Sequence, residues 1–251
     1  MLSFSVDVPH LSPSEPGALP RQKLLERLLQ AAEQYSVPIT WAVADWHEDW
    51  LIRRVMASGP IHEFAVLAGE QWAESRRCLV AGLSEARQWA AAYGVDFEVL
   101  ALRSAHPLME MDVLVRHRIR VVRGPAAAHL GHKEARWALR PLSARFGIWY
   151  APVHAVVGKS IPWWWGGSRS LRWRIAQLVR HRDAVHVSFD VGRALQESVD
   201  LAAIARSLFR WAAACRSKEM FQVALLSRVV LAQAAHLEPV AGMHSVLRRS
   251  A

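Results

Sequence analysis

The chain has 251 residues, of which 52% are hydrophobic and 21% charged, a balance that excludes a disordered protein and fits one large α/β domain or two small ones. Its net charge of +9 comes from basic residues scattered along the sequence without a nucleic-acid-binding motif, which argues against nucleic acid as a partner. No apolar run reaches 18 residues and no leader precedes the first strand pattern, so we expect a cytoplasmic protein without a membrane span, in which Cys78 and Cys215 are buried thiols.

Short apolar, β-branched runs alternate with longer helical patterns along the chain. Seven runs predict buried strands, at residues 2–7, 38–44, 63–67, 97–102, 119–123, 147–153 and 184–189. Apolar residues at helical spacing predict helices at about 24–32, 50–57, 72–93, 107–118, 171–178, 201–215 and 220–235. This alternation predicts a parallel α/β arrangement, either a barrel or a doubly wound sheet. We expect a single domain over residues 1–237 and a flexible tail at 238–251.

The segment from His62 to Trp72 begins like a metal-binding loop but lacks the metal ligands. His62 and Glu63 follow a Gly-Pro break, after which two histidines four residues apart would allow both imidazoles to reach one cation. Leu67 and Gln71 occupy those two positions instead. Neither side chain holds a divalent metal in that geometry.

Five segments, in order, resemble motifs of the polysaccharide deacetylase family, carbohydrate esterase family 4. Ser5-Val6-Asp7-Val8-Pro9 is similar to the family's Phe-Asp-Asp-Gly-Pro motif. The other four are residues 35–41 (its second strand), the loop from His62, residues 102–107 with Arg103 (its Arg-x-Pro segment) and residues 185–190 (its last strand). The resemblance covers about residues 2 to 235. It implies a distorted (β/α)7 TIM-like barrel with a parallel strand core and extra C-terminal helices.

The resemblance also implies roles for individual positions. In the family, a first aspartate is the general base, and a second aspartate binds a zinc-like metal with two histidines. Here the base position is Val6 and the metal aspartate is Asp7. The arginine that orients the base falls at Arg103, and the acid that protonates the leaving amine falls near Phe189 or Asp190. Because one carboxylate does not retain a catalytic zinc and valine accepts no proton, we expect no cofactor, with a divalent metal such as zinc as the alternative.

The same strand assignment places other polar residues at the barrel mouth beside Asp7 and Asp190. These candidate ligand-binding residues are His10, His62, Glu70 and His106. They could form a metal site of new geometry around Asp7, or they could make ordinary hydrogen bonds. We further expect Asp7 to form a buried ion pair with Arg103.

One run of tryptophans and one run of acidic residues are the last candidates. Trp163 and Trp164, in the run of three tryptophans before Gly166, either present a ring to a ligand or pack in the core. The acidic run at residues 45–49 is interpreted as the first turn of a helix, which needs no special role.

Three functions remain open at this stage. The first is a deacetylase-like pseudoenzyme of cell-surface glycan metabolism that acts by binding or scaffolding, with a glycan, an N-acetyl amino sugar or another protein as its partner. The second is an active hydrolase of C–N bonds on N-acetylated amino sugars through a nonstandard site near Asp7. The third is a basic binding module for an anionic polymer.

Overall fold

Parallel strands alternate with helices through most of the chain. The computed structural model describes residues 1–10, 18–46, 49–59, 61–103, 110–126, 142–143, 146–158 and 167–241. In these residues the strands are β1 (Leu2–Val8), β2 (Thr40–Val43), β3 (Glu63–Leu67), β4 (Val99–Ala101), β5 (Val121–Ala126), β6 (Leu142–Ser143), β7 (Trp149–Val153), β8 (Ala155–Val157) and β9 (Val185–Asp190). The helices are α1 (Ala18–Gln34), α2 (Asp49–Ala57), α3 (Arg76–Ala92), α4 (Met111–Arg116), α5 (Gly167–His181), α6 (Val191–Gln196), α7 (Leu201–Ser217) and α8 (Leu226–Ala241), with a 3-10 turn at Glu70–Ala73.

The strands form one sheet that is nearly closed into a barrel. Their order is β6-β7-β5-β4-β3-β2-β1-β9-β8, and each neighbouring pair is parallel except β6 and β7. Strands β7 and β8 follow each other in the chain, separated by His154, yet β7 pairs with β5 and β8 pairs with β9. One continuous segment therefore joins the two sides of the sheet. The predicted parallel barrel is confirmed, and the doubly wound alternative is wrong.

The predicted elements differ from the observed ones mainly where an element is short. Strands β6 and β8 and helix α6 were not predicted, because two to six residues show too little periodicity to be recognised. Helix α3 begins at Arg76 and not at residue 72, since the Ser75 hydroxyl oxygen accepts a hydrogen bond from the Cys78 backbone N–H at 3.2 Å and caps the helix there. Helix α8 continues to Ala241, past the predicted start of the tail at residue 238; the flexibility of the tail stays a prediction, and residues 242–251 lie outside the described residues.

Alternation along β1 separates the outside of the barrel from its interior. Phe4 packs outward, with its ring centroid 6.0 Å from that of Phe189 and 5.2 Å from that of Phe209 on α7. The residues between the apolar positions, such as Ser5 and Asp7, are polar and buried. They face inward, as expected from the period of two in a strand.

The barrel interior combines this polar stripe with a small apolar cluster. The cluster contains Ala42, Ala65, Leu67, Val99, Ala101, Val121, Trp149 and Ala151 from the sheet and Leu226, Val230 and Ala234 from α8. The three α8 residues are spaced by four and so lie on one face of the helix. Alanines on the inner face of the sheet leave room for this helix to pack against it.

A buried carboxylate connects the start of α8 to the N-terminal end of the barrel. Glu63 accepts hydrogen bonds from the Thr40 hydroxyl at 2.5 Å, from the Ser227 backbone N–H at 3.1 Å and from the Ser227 hydroxyl. Burial raises the pKa of the Glu63 carboxyl, although these hydrogen bonds act in the opposite direction. The carboxylate accepts from the Ser227 N–H and the Thr40 hydroxyl oxygen accepts from the Leu226 N–H at 3.2 Å, so both N–H groups at the first turn of α8 have partners.

Neither cysteine forms a disulfide: Cys215 is buried, whereas Cys78 is partly exposed, which corrects the expectation that both are buried. Among the described helices, none combines the length and the hydropathy needed to cross a membrane.

Candidate functional site

A cleft of about 700 Å³ opens where β1, β5 and β9 approach their C-terminal ends. We call it the main cleft. The C-terminal ends of parallel barrel strands are where enzymes of this architecture carry their active sites. The residues of the main cleft that matter below are Asp7, His10, Arg103, Arg123, Ser188 and Asp190.

An ion pair between Asp7 and Arg123 lies at the base of the main cleft. The Arg123 guanidinium donates to both carboxylate oxygens of Asp7, with a distance of 2.9 Å from Nη2 to Oδ2. Its Nη1 also donates to the Ser5 hydroxyl at 2.7 Å and to the Ser188 hydroxyl at 3.1 Å. Arg123 is 2% exposed and Asp7 is 8% exposed. Because β5 is not a sheet neighbour of β1 or β9, these contacts run across the barrel interior.

The polar chain continues below Arg123 through a buried histidine. Ser5 Oγ lies 3.0 Å from His186 Nε2, and Ser3 Oγ lies 2.9 Å from His186 Nδ1. The Ser3 hydroxyl donates to the Val185 carbonyl oxygen at 3.5 Å, so we assign the imidazole proton to Nδ1, which donates to Ser3, while the Ser5 hydroxyl donates to Nε2. Burial lowers the pKa of His186 well below its usual value, and the positive charge of Arg123 lowers it further. The imidazole is therefore neutral and holds Ser5 in place beneath the ion pair.

The predicted pairing of Asp7 with Arg103 is wrong. Arg103 follows the end of β4 and is exposed, whereas Arg123 is the third residue of β5 and points into the barrel. No hydrogen bond or ion pair joins Arg103 to another residue of the described ranges. Its Nη2 lies near the α-carbon of Gly192, where an added Cβ would be 3.7 Å away. Arg103 therefore stands at the rim of the main cleft as a cation accessible to a ligand.

Of Phe189 and Asp190, the two candidates for the position of the predicted acid, only Asp190 lies at the cleft. Phe189 is fully buried in the outer core, 5.5 Å from the Phe209 ring centroid. Asp190 pairs in register with Asp7 and lines the main cleft. Its Oδ1 also accepts a hydrogen bond from the Arg193 backbone N–H at 3.0 Å, which caps α6. Of the predicted site residues, the structure thus brings Asp7, His10, Arg103 and Asp190 together around one cleft.

His62 does not belong to this group, and its predicted position at the barrel mouth is wrong. It precedes the first residue of β3, at the end of the barrel opposite Asp7. Its Nδ1 accepts a hydrogen bond from the Ile39 backbone N–H at 3.2 Å, and its ring centroid lies 6.2 Å from that of Trp41. Burial is the main cause that lowers the pKa of His62 to about 4. His62 is a neutral structural histidine.

A second cleft, of about 530 Å³, adjoins the first. We call it the side cleft. It shares His10 and Arg103 with the main cleft and extends between the ends of β2 and β3 and helix α3. Asp45 lies in it and binds His10, with 2.7 Å between Oδ2 and Nδ1. Asp45 was interpreted above as part of a helix start, but α2 begins at Asp49, and Asp45 is a site residue.

The side cleft contains the two positions at which the resemblance implied metal histidines. Leu67 and Gln71 both line it. The donors do not fit the implied metal: both oxygens of Asp7 are bonded to Arg123, the Leu67 side chain has no ligand atom, and an amide is a weak ligand for zinc. In the ranges that the structure describes, no three His, Cys, Asp or Glu residues are grouped closely enough to hold a metal ion.

The remaining predicted site residues are His106, Trp163, Trp164 and Glu70. His106, Trp163 and Trp164 lie outside the described residues. Glu70 begins the 3-10 turn after β3, which brings its backbone to the cleft end of the barrel, but its side chain is not described.

A close contact next to Arg123 gives a test of the packing in the main cleft. A Cβ added at Gly124 would lie 1.6 Å from the Tyr150 hydroxyl oxygen, so Gly124→Ala must displace the tyrosine. We expect this change to lower the free energy of unfolding by about 1–3 kcal/mol, measured by urea denaturation. The cost should largely disappear in a Tyr150→Ala background, because the clash is then absent. An equal cost in both backgrounds would contradict this contact.

The site residues that were not predicted can be recognised by patterns in the sequences of their strands. Arg123 ends a predicted buried strand, and an arginine inside such a strand requires a buried partner. Ser3 and Ser5 alternate with apolar residues before Asp7, which marks a polar face along the first strand. His186 and Ser188 repeat this alternation in the last strand.

Comparisons with known proteins concern the fold. Neither protein-family models nor the sequences of curated proteins match the chain. Among solved structures, a protein from Mycobacterium smegmatis assigned as a polysaccharide deacetylase has a TM-score of 0.66 and 16% identity, over 100% of this chain and 94% of that chain. A protein from Pseudomonas aeruginosa PAO1 with the same assignment has a TM-score of 0.60 and 12% identity, over 91% of this chain and 89% of that chain.

A 4-alpha-glucanotransferase from Thermococcus litoralis also matches, with a TM-score of 0.60 and 12% identity, over 92% of this chain and 39% of that chain. The barrel is thus the fold of polysaccharide deacetylases, as the resemblance implied. Because the same fold occurs in a glucanotransferase, the reaction must be argued from the site and not from the fold.

Proposed function

We propose that the protein binds a glycan or an N-acetylated amino sugar in the main cleft and lacks the metal-dependent deacetylation of its structural relatives. The observation that carries this proposal is the ion pair between Asp7 and Arg123. Asp7 stands where the family has its metal-binding aspartate, and a guanidinium occupies both of its oxygens.

The ion pair opposes metal binding for an electrostatic reason. A divalent cation on Asp7 would have to displace Arg123, which is almost completely buried and would lose its counter-ion. Leaving a buried charge without a partner costs several kcal/mol. In this chain Arg123 supplies the positive charge that the barrel would otherwise receive from a metal.

The proposed ligand class follows from the cleft and from the shared fold. The volume of the main cleft lies within the ordinary range of small-molecule sites, roughly 300–1,000 Å³. Its polar side chains can exchange hydrogen bonds with hydroxyl and amide groups. The names of the structural relatives above refer to polysaccharide or glucan chemistry, which supports a sugar ligand. The free thiols of Cys78 and Cys215 support a cytoplasmic location.

Metal analysis and ligand binding test the proposal together. We expect the purified protein to contain far less than one equivalent of zinc, nickel or cobalt, and added zinc to leave its Tm unchanged. Oligomers of N-acetylglucosamine should raise the Tm, because a ligand that binds only the folded state stabilises it. Asp7→Ala serves as the control: a stoichiometric metal that disappears in this variant would overturn the proposal.

The second candidate function is an active hydrolase, and the His10–Asp45 pair favours it. A partly buried carboxylate that holds an imidazole at a cleft is an arrangement suited to general acid–base catalysis. This function requires acetate release from N-acetylglucosamine oligomers in the presence of a chelator, above a blank without protein. The release should be lost in His10→Ala. Acetate at the level of the blank excludes it.

The third candidate, binding of an anionic polymer, rests on helix α5. Its sequence contains Arg169, Arg172, Arg174 and Arg180 but no acidic residue, and Trp173 is 65% exposed. Binding to a polyanion should weaken steeply as salt rises, because counter-ions are released on binding. Binding that does not respond to salt would exclude this function.

A further inference from the structure

Three tryptophans and a set of planar polar side chains line the side cleft. Trp46, Trp72 and Trp89 lie in its wall, Trp46 buried and the other two partly exposed. The polar side chains are His10, Asp45, Gln71, Glu85 and Arg103. Sugar rings offer an apolar face of C–H groups and a rim of hydroxyls. Aromatic rings and planar carboxylate, amide and guanidinium groups are complementary to these two features.

The position of Trp72 is determined by a glycine on α3. A Cβ added at Gly82 would lie 2.2 Å from Trp72 Cε2, so the indole packs directly against the helix backbone. A glycine inside a helix costs about 1 kcal/mol relative to alanine. The close approach of the indole accounts for the glycine at this position. The ring is therefore held in place without any ligand.

His10 is held in a similar way, although it is exposed. Its ring is bonded to Asp45, whose side chain is 15% exposed while that of His10 is 64% exposed. The less exposed Asp45 orients the imidazole and leaves Nε2 without a hydrogen bond to another described residue. Together with Arg103, His10 forms the border common to both clefts.

We infer that the side cleft is a second sugar subsite, so that one glycan chain lies across the border formed by His10 and Arg103 with one ring in each cleft. This inference rests on the proposed glycan binding in the main cleft. In it, Trp72 and Trp89 contact the apolar side of the ring, and Gln71 and Glu85 bind its hydroxyls. The site selects oligosaccharides over monosaccharides.

Calorimetric titration with N-acetylglucosamine and its oligomers of two to four units tests the inference. For the unaltered protein, we expect affinity to rise from the monomer to the dimer or trimer. Trp72→Ala should remove about three- to tenfold of this gain and leave the affinity for the monomer unchanged. Gln71→Ala, at an exposed side chain whose loss does not threaten folding, should reduce the gain in the same direction.

Phe146→Ala, at an exposed aromatic side chain that lines neither cleft, is the matched control and should bind every oligomer like the unaltered protein. If no sugar of any length binds the unaltered protein, the proposed function fails, and this inference fails with it. If sugars bind but their affinity does not depend on length, or if neither Trp72→Ala nor Gln71→Ala changes that dependence, only the second subsite is overturned.

Discussion

Replacing Arg123 with methionine is expected to lower the free energy of unfolding by about 3–5 kcal/mol. Methionine fills a similar space but leaves Asp7 charged inside the barrel without a counter-ion. It also removes the donors on which the Ser5 and Ser188 hydroxyls depend. Urea denaturation at pH 7, with a slope close to that of the unaltered protein, measures the loss.

The double variant Asp7→Asn/Arg123→Met separates the charge from the packing. It should be more stable than Arg123→Met alone, because it contains no uncompensated buried charge. Arg193→Met, which breaks the more exposed pair of Arg193 with Glu197, is the control and should change stability by no more than about 1 kcal/mol. If Arg123→Met costs no more than this control, the ion pair does not have the role assigned to it here.

Lowering the pH from 7 to 4 is expected to destabilise the fold, with His62 alone contributing up to roughly 3 kcal/mol. Burial lowers the pKa of His62 from 6.5 to about 4, so the folded state binds fewer protons than the unfolded state in this interval. Its stabilising contribution is complete above pH 6.5 and is lost as the pH falls toward 4. The pKa of buried His186 is lowered as well and changes stability in the same direction.

Other ionisable groups change the size of this pH dependence of stability. Glu33 raises the pKa of His62, whereas Arg54 lowers it. Glu63 acts with the opposite sign, because burial raises its pKa and the folded state retains a proton above pH 4.5 that the unfolded state releases. The net slope is still expected to favour the folded state at higher pH, since the lowered pKa values of three histidines, His62, His117 and His186, oppose the raised pKa of one carboxyl.

Urea denaturation at pH 7, 6, 5 and 4 measures this slope, and His62→Gln is the decisive variant. It should be less stable at pH 7 but lose less stability on acidification. His181→Gln, at an exposed histidine at the end of α5, should leave the slope unchanged. Equal slopes in the unaltered protein and in His62→Gln would show that His62 is not held neutral.

The outcome for Asp7 shows which part of the site was accessible from the sequence. Its position at the end of the first strand, and its need for a cationic partner, followed from the local pattern and from the resemblance. The predicted partner was Arg103 because the resemblance places the family's arginine there, and Arg123, at the end of another predicted strand, was not considered. In the register of β4 and β5, Arg123 pairs with Ala101, the residue before Leu102, and so lies inside the barrel. Arg103 lies beyond the end of β4.

The side cleft was harder still to predict from the sequence, because its residues come from five separate parts of the chain, including Trp89 on α3 and Arg103 after β4. His10 follows β1, Asp45 follows β2, and Gln71 and Trp72 follow β3. Each has an ordinary local explanation, such as a helix start for Asp45. They become a group only because parallel strands present their C-terminal ends at the same edge of the barrel.

The sequence by itself determined the alternation of strands and helices and a parallel α/β arrangement, and it contains no pair of histidines four residues apart after His62. These features depend on residue type and on spacing along the chain, which are local. Only the tertiary structure decided that Arg123 neutralises Asp7, that His62 lies at the far end of the barrel, and that two clefts meet at His10 and Arg103. Those outcomes depend on strand register and on contacts across the barrel between residues 65 to 116 positions apart, and no local pattern contains that information.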